Sequence, residues 1–246
     1  MFNFFLFFLF FSSFLLAHIF NYTSYFARIS GKNLSYPLLG TSLAGILIGL
    51  SQLSILFFNP SISFLIEKMN LTLKTYLIIF IFIFLFTALS MWVIFIKKEK
   101  IIFFLNKILL VHIKFKKNIL FCFLFFWLYK VKNLKTLKSN YKFKFNTKML
   151  ISSLIAYLAI SSGFFIAYAL AIKFPEYRLT ISSVSTFIHA IGIFLLLSYV
   201  DPKLNSNIDT IKNEETWCVI NSFFLSRIIS LALLFLITVL LYLLIT

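Results

Sequence analysis

Four polar side chains inside the first apolar stretch of the sequence have the spacing of one helical face. His18, Asn21, Tyr25 and Arg28 follow one another at intervals of three or four residues, which places them within an arc of about 80° on an α-helix. An imidazole, an amide, a phenol and a guanidinium can together bind an anionic ligand or pass a proton. Because a polar face is costly against lipid, this face is predicted to lie against protein or water.

Arginine is scarce in this chain and is found at helix ends or inside apolar stretches. Only three of the 23 basic residues are arginine, namely Arg28, Arg178 and Arg227. The planar guanidinium can bind a phosphate or a carboxylate through two parallel hydrogen bonds, which lysine cannot do. Arg227 lies inside an apolar stretch, where an ionisable group is costly without a partner. These features favour an anion-binding role for the arginines.

An alternative interpretation is that each arginine pairs with an acid and only holds helices together. Glu176 lies two residues before Arg178, so an ion pair explains this arginine as well as ligand binding does. Asp201 is the acid expected at the depth of Arg28 and Arg227. The arginines are therefore open to a structural interpretation as well as a functional one.

Two histidines, His18 and His189, are predicted near the middle of the membrane. His189 shares a helical face with Ser182 and Thr186. A buried histidine is often satisfied by a neighbouring hydroxyl, and a proton relay or a ligand contact is the alternative.

The composition identifies the class of protein. Hydrophobic residues make up 61% of the 246 residues and charged residues 12%, whereas a soluble domain is about 45–50% apolar. The apolar stretches are continuous rather than alternating, which excludes an outer-membrane barrel. The net charge of +16 comes from lysines between the apolar stretches, so the positive-inside rule explains it better than nucleic-acid binding does.

The apolar stretches predict an all-α membrane protein with one integral membrane domain, 1–246, and about six transmembrane helices. Residues 1–17 lack a basic n-region and are expected to begin the first span rather than form a signal peptide. Asn59-Pro60 and Asp201-Pro202 are expected to end the second and fifth helices. The third helix is apolar almost all round and is expected to face lipid. The predicted helices cover residues 2–27, 37–58, 76–96, 149–172, 179–200 and 219–245.

One face of the second predicted helix carries small and polar residues. Thr41, Gly45, Gly49 and Gln52 share an arc of about 80°. Gly45 and Gly49 form a GxxxG pattern, which is interpreted as a site of close helix contact.

Residues 97–148 form a basic region with fourteen lysines and one acid, Glu99. The region is predicted to be a cytoplasmic and interfacial loop with amphipathic helices, attracted to anionic membrane lipids. Its apolar patches, 101–111 and 119–129, are short for a span, although a seventh span here is an alternative. Six spans would place eighteen basic residues on one side and four on the other, which marks the basic side as cytoplasmic.

Several function classes find no support in the sequence. It has no nucleotide-binding loop, no nucleophile elbow and no carboxylate pair inside an apolar stretch. Cys122 and Cys218 are far apart and belong to no metal-spaced pair. The sequence therefore argues against an ATP-driven pump and gives no support to an enzyme, and no cofactor or metal is expected.

Four short motifs follow one another along the chain. They are His18, Tyr25, Arg28 and Gly31 in the first helix, the turn Pro175-Glu176-Tyr177-Arg178, the pair Asp201-Pro202 and the pair Ser226-Arg227. In their order and intervals they resemble the Amj-type lipid II flippases. The resemblance covers the first and the fourth to sixth predicted helices, roughly half of the chain, and the segment late in the second predicted helix departs from the family's pattern.

The resemblance implies transport of lipid II, the undecaprenyl-pyrophosphate-linked peptidoglycan precursor, by a multi-pass protein of the bacterial cytoplasmic (inner) membrane. The predicted substrate-binding residues are His18, Asn21, Tyr25, Arg28, Glu176, Arg178, His189, Asp201 and Arg227.

Two other functions are open to consideration. The first is a non-transporting scaffold subunit of a larger membrane complex, in which the arginines lock helices together. The second is a membrane-bound lipid-phosphate enzyme, for which the sequence lacks the acids or histidine pairs. The position of Arg28 and Arg227 distinguishes transport from scaffolding: a common cavity favours transport, and dry packing against carboxylates favours a scaffold.

Overall fold

The computed structural model describes residues 2–68, 71–129, 144–209 and 214–245, and these residues are helical apart from short connections. The side chain of Ser182 and residues 130–143 of the basic region lie outside the described part. The α-helices are α1 (Phe2–Asn33), α2 (Pro37–Lys68), α3 (Leu73–Ile96), α4 (Lys98–Phe115), α5 (Ile119–Phe125), α6 (Thr147–Lys173), α7 (Arg178–Leu195), α8 (Asp201–Asp209) and α9 (Glu214–Ile245).

Six of the helical segments in the described part of the chain are long and apolar enough to cross a membrane. The predicted all-helical membrane fold with about six spans is therefore confirmed. Neither α4 nor α5, the helices of the basic region, is among these segments. The segments are Phe5–Asn33, Pro37–Glu67, Leu73–Ile96, Thr147–Lys173, Thr186–Asp209 and Trp217–Ile245.

Both predictions that a proline ends a helix are wrong. Helix α2 runs through Pro60 to Lys68. Membrane helices tolerate proline where packing against neighbouring helices supports the helix despite the missing backbone hydrogen bond, and Phe58 and Ile62 on either side of Pro60 are buried. The fifth span continues through Pro202 into α8, because a π-helical turn precedes α8 and places the proline in its first turn, where no N–H donor is needed.

The third helix, expected to face lipid, has an exposed apolar face and also a buried one. Helix α3 buries one face and exposes the other, because α9 and the aromatic residues of α1 and α6 pack against it. Tyr76 on the buried face donates a hydrogen bond to the carbonyl of Phe165 at 2.8 Å. Trp92 and Val93 lie on the exposed face. Mean composition could not distinguish these faces, since both are apolar.

Two helix pairs are held close by glycine, and these contacts position the site. At the α1–α2 contact, a Cβ built on Gly40 would lie 2.7 Å from the Cα of Gly31 and 2.8 Å from the carbonyl oxygen of Ala27. At the α6–α7 contact, a Cβ on Gly192 would lie 2.8 Å from the backbone nitrogen of Ile160. All three distances are too short for a Cβ atom, so only glycine allows these helices to approach so closely.

The glycine contacts generate a prediction about stability. Gly40→Ala is expected to destabilise the protein by about 1–3 kcal/mol, because the new methyl group meets backbone atoms that cannot move aside. Gly45→Ala is the matched control, since a Cβ there has no described atom within 4 Å. This control is expected to raise stability by about 0.5–1 kcal/mol through helix propensity. Thermal unfolding of the purified variants in detergent measures both changes in stability. Equal shifts in the unfolding temperatures of the two variants would contradict the packing described.

Candidate functional site

A cavity of about 250 Å³ lies among α1, α2, α6, α7 and α9. Seven of the nine predicted site residues line it, which brings together side chains from distant parts of the sequence. They are His18, Asn21, Tyr25, Arg28, His189, Asp201 and Arg227.

The Arg227 guanidinium is held by neutral groups from two other helices. One terminal nitrogen donates to Oδ1 of Asn21 at 2.7 Å, and the other lies 3.2 Å from Nδ1 of His18. The guanidinium carbon lies 4.7 Å from the centre of the Tyr157 ring. Because a guanidinium can only donate, the contact requires a lone pair on Nδ1 of His18 and places the imidazole proton on Nε2.

Arg227 keeps one hydrogen-bonding group unused. The side chain is only 5% exposed, and its Nε has no hydrogen-bond partner among the described residues. The partners that hold its terminal nitrogens carry no negative charge, so the expectation that an acid such as Asp201 caps this arginine is wrong. The buried charge thus faces the cavity without a carboxylate in contact with it.

Arg28 lies at the end of the cavity nearer to the turn between α1 and α2. Its terminal nitrogen donates to Oδ1 of Asn205 at 2.6 Å, and its guanidinium carbon lies 5.3 Å from the Tyr25 ring centre. The Tyr25 hydroxyl donates to Oδ1 of Asp201 at 2.9 Å. Asp201 is therefore hydrogen-bonded to Tyr25 rather than to an arginine. The Nε of Arg28, like that of Arg227, is buried without a hydrogen-bond partner in the described part of the chain.

Sequence reasoning missed Asn205, because the helix was expected to end at Asp201-Pro202. The spacing of four residues between Asp201 and Asn205 is the signal that could have found it, since it places both on one face of a continuing helix. His189 lines the cavity from α7, and its Nδ1 lies 3.2 Å from the carbonyl oxygen of Ile160.

Arg178 and Glu176 do not reach the cavity. Glu176 lies in the short connection between α6 and α7 and is exposed. Arg178 is the first residue of α7, and its Nε donates to the backbone carbonyl of Ala171 at 3.4 Å. Asp201 follows Arg178 by 23 residues, which is about 35 Å along a continuous helix. The two residues therefore lie at the opposite end of the span from Asp201.

Aromatic rings line the end of the cavity remote from Arg28. The rings of Phe14 and Phe58 lie 5.3 Å apart, and those of Phe58 and Phe164 lie 6.0 Å apart. All three line the cavity. The cavity is therefore polar and cationic toward one end and apolar toward the other.

The fold and the cavity define a multi-pass, all-helical membrane protein with an internal polar site that bears two guanidinium groups. Comparison of the chain with protein-family models, curated proteins and solved structures finds no match.

The contact between Arg227 and Asn21 predicts different stabilities for two variants of Asn21. Asn21→Leu removes the acceptor of a buried charged hydrogen bond and is expected to cost about 1.5–3 kcal/mol of stability. Asn21→Asp supplies the carboxylate that Arg227 lacks and is expected to be more stable than Asn21→Leu by at least that amount. Thermal unfolding in detergent measures both, and equal stability of the two variants would show that Arg227 does not depend on this partner.

Proposed function

We propose that the protein is a lipid II flippase, which moves the undecaprenyl-pyrophosphate-linked peptidoglycan precursor across the bacterial cytoplasmic membrane. One observation carries the proposal: Arg28 of α1 and Arg227 of α9 line the same cavity, and each has an Nε without a hydrogen-bond partner among the described residues. The arrangement suits an anion that enters the cavity and accepts hydrogen bonds from both guanidiniums.

The charge of the cavity favours a diphosphate. Two guanidiniums and one carboxylate, that of Asp201, are the charged groups in the described lining, so the site is cationic when the histidines are neutral. A diphosphate carries more than one negative charge and presents oxygens on two phosphorus atoms. Each charge-assisted hydrogen bond to it contributes about 1.5–3 kcal/mol, and two arginines supply the forked donors that such a group requires.

The size of the cavity suggests which part of lipid II it holds. Its volume of about 250 Å³ is below the range of roughly 300–1,000 Å³ for pockets that enclose a whole drug-sized ligand. We therefore assign it the diphosphate and the sugar next to it. Gln52, Tyr157 and Ser161 in the lining offer an amide and hydroxyls to the sugar, while the rest of the substrate stays outside.

The convergence of the motifs also supports the proposal. Tyr25 and Arg28, Asp201 and Arg227 belong to three separate stretches that resemble the Amj-type flippases, and all four line one cavity. The charged end of the cavity lies toward the predicted cytoplasmic side, which suits loading of a substrate made in the cytoplasm.

A scaffold subunit remains the second candidate because each arginine also connects helices. Arg227 of α9 contacts Asn21 of α1 and the ring of Tyr157 of α6, and Arg28 of α1 bonds to Asn205 of α8. In a scaffold these contacts would be the whole role of the arginines. The unbonded Nε groups and the cavity between them favour transport over this alternative.

Substitution of each arginine by lysine tests the proposal. Arg28→Lys and Arg227→Lys keep the charge and lose the fork, so each is expected to slow lipid II transport roughly tenfold. The double variant is expected to lose less than the product of the single losses, since both arginines act on one bound group. The measurement is lipid II transport into or out of liposomes that contain equal amounts of folded protein.

Arg178→Lys is the matched control, because this arginine lies outside the cavity, and its transport rate should stay near that of the unsubstituted protein. Unchanged rates in both Arg28→Lys and Arg227→Lys would contradict the proposal. Lower folded yield with unchanged transport per folded molecule would favour the scaffold.

A further inference from the structure

Two histidines line the cavity, His18 and His189, and their hydrogen bonds leave different ring nitrogens available. Nδ1 of His189 lies 3.2 Å from the carbonyl oxygen of Ile160. Because a carbonyl oxygen can only accept, this contact places the imidazole proton on Nδ1 and leaves a lone pair on Nε2. No hydrogen bond joins that Nε2 to a residue in the described part of the chain. His189 can therefore take up a second proton at Nε2 and keep its bond to Ile160.

The hydrogen bonds of His18 do not allow such an uptake. Its Nδ1 lone pair accepts from the Arg227 guanidinium at 3.2 Å, so its own proton is on Nε2. A second proton, on Nδ1, would set two donors and two positive charges against each other, and the contact with Arg227 would be lost. Of the two histidines in the lining, His189 is therefore the one that is arranged to take up a proton.

The charge of the loaded site gives proton uptake a physical reason. With both histidines neutral, the charged groups of the described lining are Arg28, Arg227 and Asp201, which together carry a single positive charge. A diphosphate brings more negative charge than this, so the loaded site would be a net anion within a membrane-spanning bundle. Uncompensated charge is costly there, and a proton on His189 removes part of it.

The surroundings of His189 suit a protonated imidazole that depends on the ligand for its counter-charge. The Phe164 ring centre lies 4.8 Å from that of His189, close enough for a cation–π contact. Asp201 follows His189 by 12 residues, or about 18 Å along the span, so its carboxylate does not pair with the imidazole directly. The lining residues of α2 are uncharged, and the other titratable groups of the described lining are His18, Tyr25, Arg28, Tyr157, Asp201 and Arg227.

We infer that the cavity binds its oxyanion together with a proton, and that Nε2 of His189 is the atom that takes up this proton. The inference rests on the proposed function, in which the arginines hold the diphosphate. The proton comes from the solvent, no covalent bond to the anion forms, and the new Nε2–H adds a donor to the cavity. By linkage, the bound anion favours the protonated imidazole and the protonated imidazole favours the bound anion to the same extent. Substrate loading therefore depends on pH.

Calorimetric titration with inorganic pyrophosphate at about pH 7.5, in two buffers of different ionisation enthalpy, counts the protons that enter with the anion. His189→Asn keeps an amide N–H for the Ile160 carbonyl and cannot titrate, so it is expected to take up fewer protons than the unsubstituted protein, by up to about one. Relative to the unsubstituted protein, its affinity for pyrophosphate is expected to be roughly tenfold weaker at about pH 6 than at about pH 8. Pyrophosphate itself ionises alike in every titration, so these differences belong to the protein.

His112→Asn is the matched control. Nδ1 of His112 makes the same kind of contact, with the carbonyl oxygen of Lys117 at 2.6 Å, but this histidine of α4 does not line the cavity. The control is expected to take up as many protons as the unsubstituted protein. His18→Gln is expected to keep the proton uptake even where it binds pyrophosphate more weakly. His189→Gln is a second neutral variant, and it serves if His189→Asn lowers the unfolding temperature.

Several results would overturn the inference. Proton uptake that is equal in the two His189 variants and in the unsubstituted protein would show that the proton binds elsewhere. Loss of the uptake in His18→Gln would assign the proton to the histidine beside Arg227, and loss in Asp201→Asn alone would assign it to the carboxylate. An equal fall in affinity at both pH values would leave His189 a purely structural role. Failure of the unsubstituted protein to bind pyrophosphate would instead reject the proposed function, and with it this inference.

Discussion

The structure depends on how a guanidinium charge is accommodated within a membrane helix. Arg227 is almost completely buried, and its side chain is held by the Asn21 amide, the His18 imidazole and the Tyr157 ring rather than by a carboxylate. An ionisable group at this depth is costly unless polar groups surround it. These groups come from α1 and α6, so stabilising Arg227 in α9 requires three helices to meet, and their meeting forms one wall of the cavity.

A second buried cation is stabilised by the same kinds of groups as Arg227. The Lys98 ammonium, at the start of α4, donates to Oδ1 of Asn221 at 2.7 Å and lies 5.0 Å from the Phe95 ring centre and 5.4 Å from that of Trp217. Burial lowers the pKa of this lysine. Lys98 and Arg227 thus use the same combination of amide and aromatic ring. Arg227 in addition lines the cavity and has a buried Nε without a hydrogen-bond partner among the described residues, which favours a ligand-binding role for it.

The sequence predicted the number of spans and much of the site because periodicity reports local structure. His18, Asn21, Tyr25 and Arg28 share a face on any helix that contains them, and that face does line the cavity. Proline-based helix ends were wrong because tertiary packing and a π-helical turn compensate for the missing hydrogen bond. Asn205 was missed for the same reason.

Arg178 and Glu176 were included by motif, yet they lie at the other end of the span, since short motifs carry no information about depth. The GxxxG pattern likewise indicates that close contact is possible and does not show where it occurs.

The central claim is that Arg28 and Arg227 form one anion site. It is tested most directly by calorimetric titration of the purified protein with inorganic pyrophosphate at low salt. The account predicts one binding site per chain, whose affinity falls roughly tenfold or more in Arg28→Gln and in Arg227→Gln and stays unchanged in Arg178→Gln. Equal affinities in all three variants, or no binding by the unsubstituted protein, would contradict it.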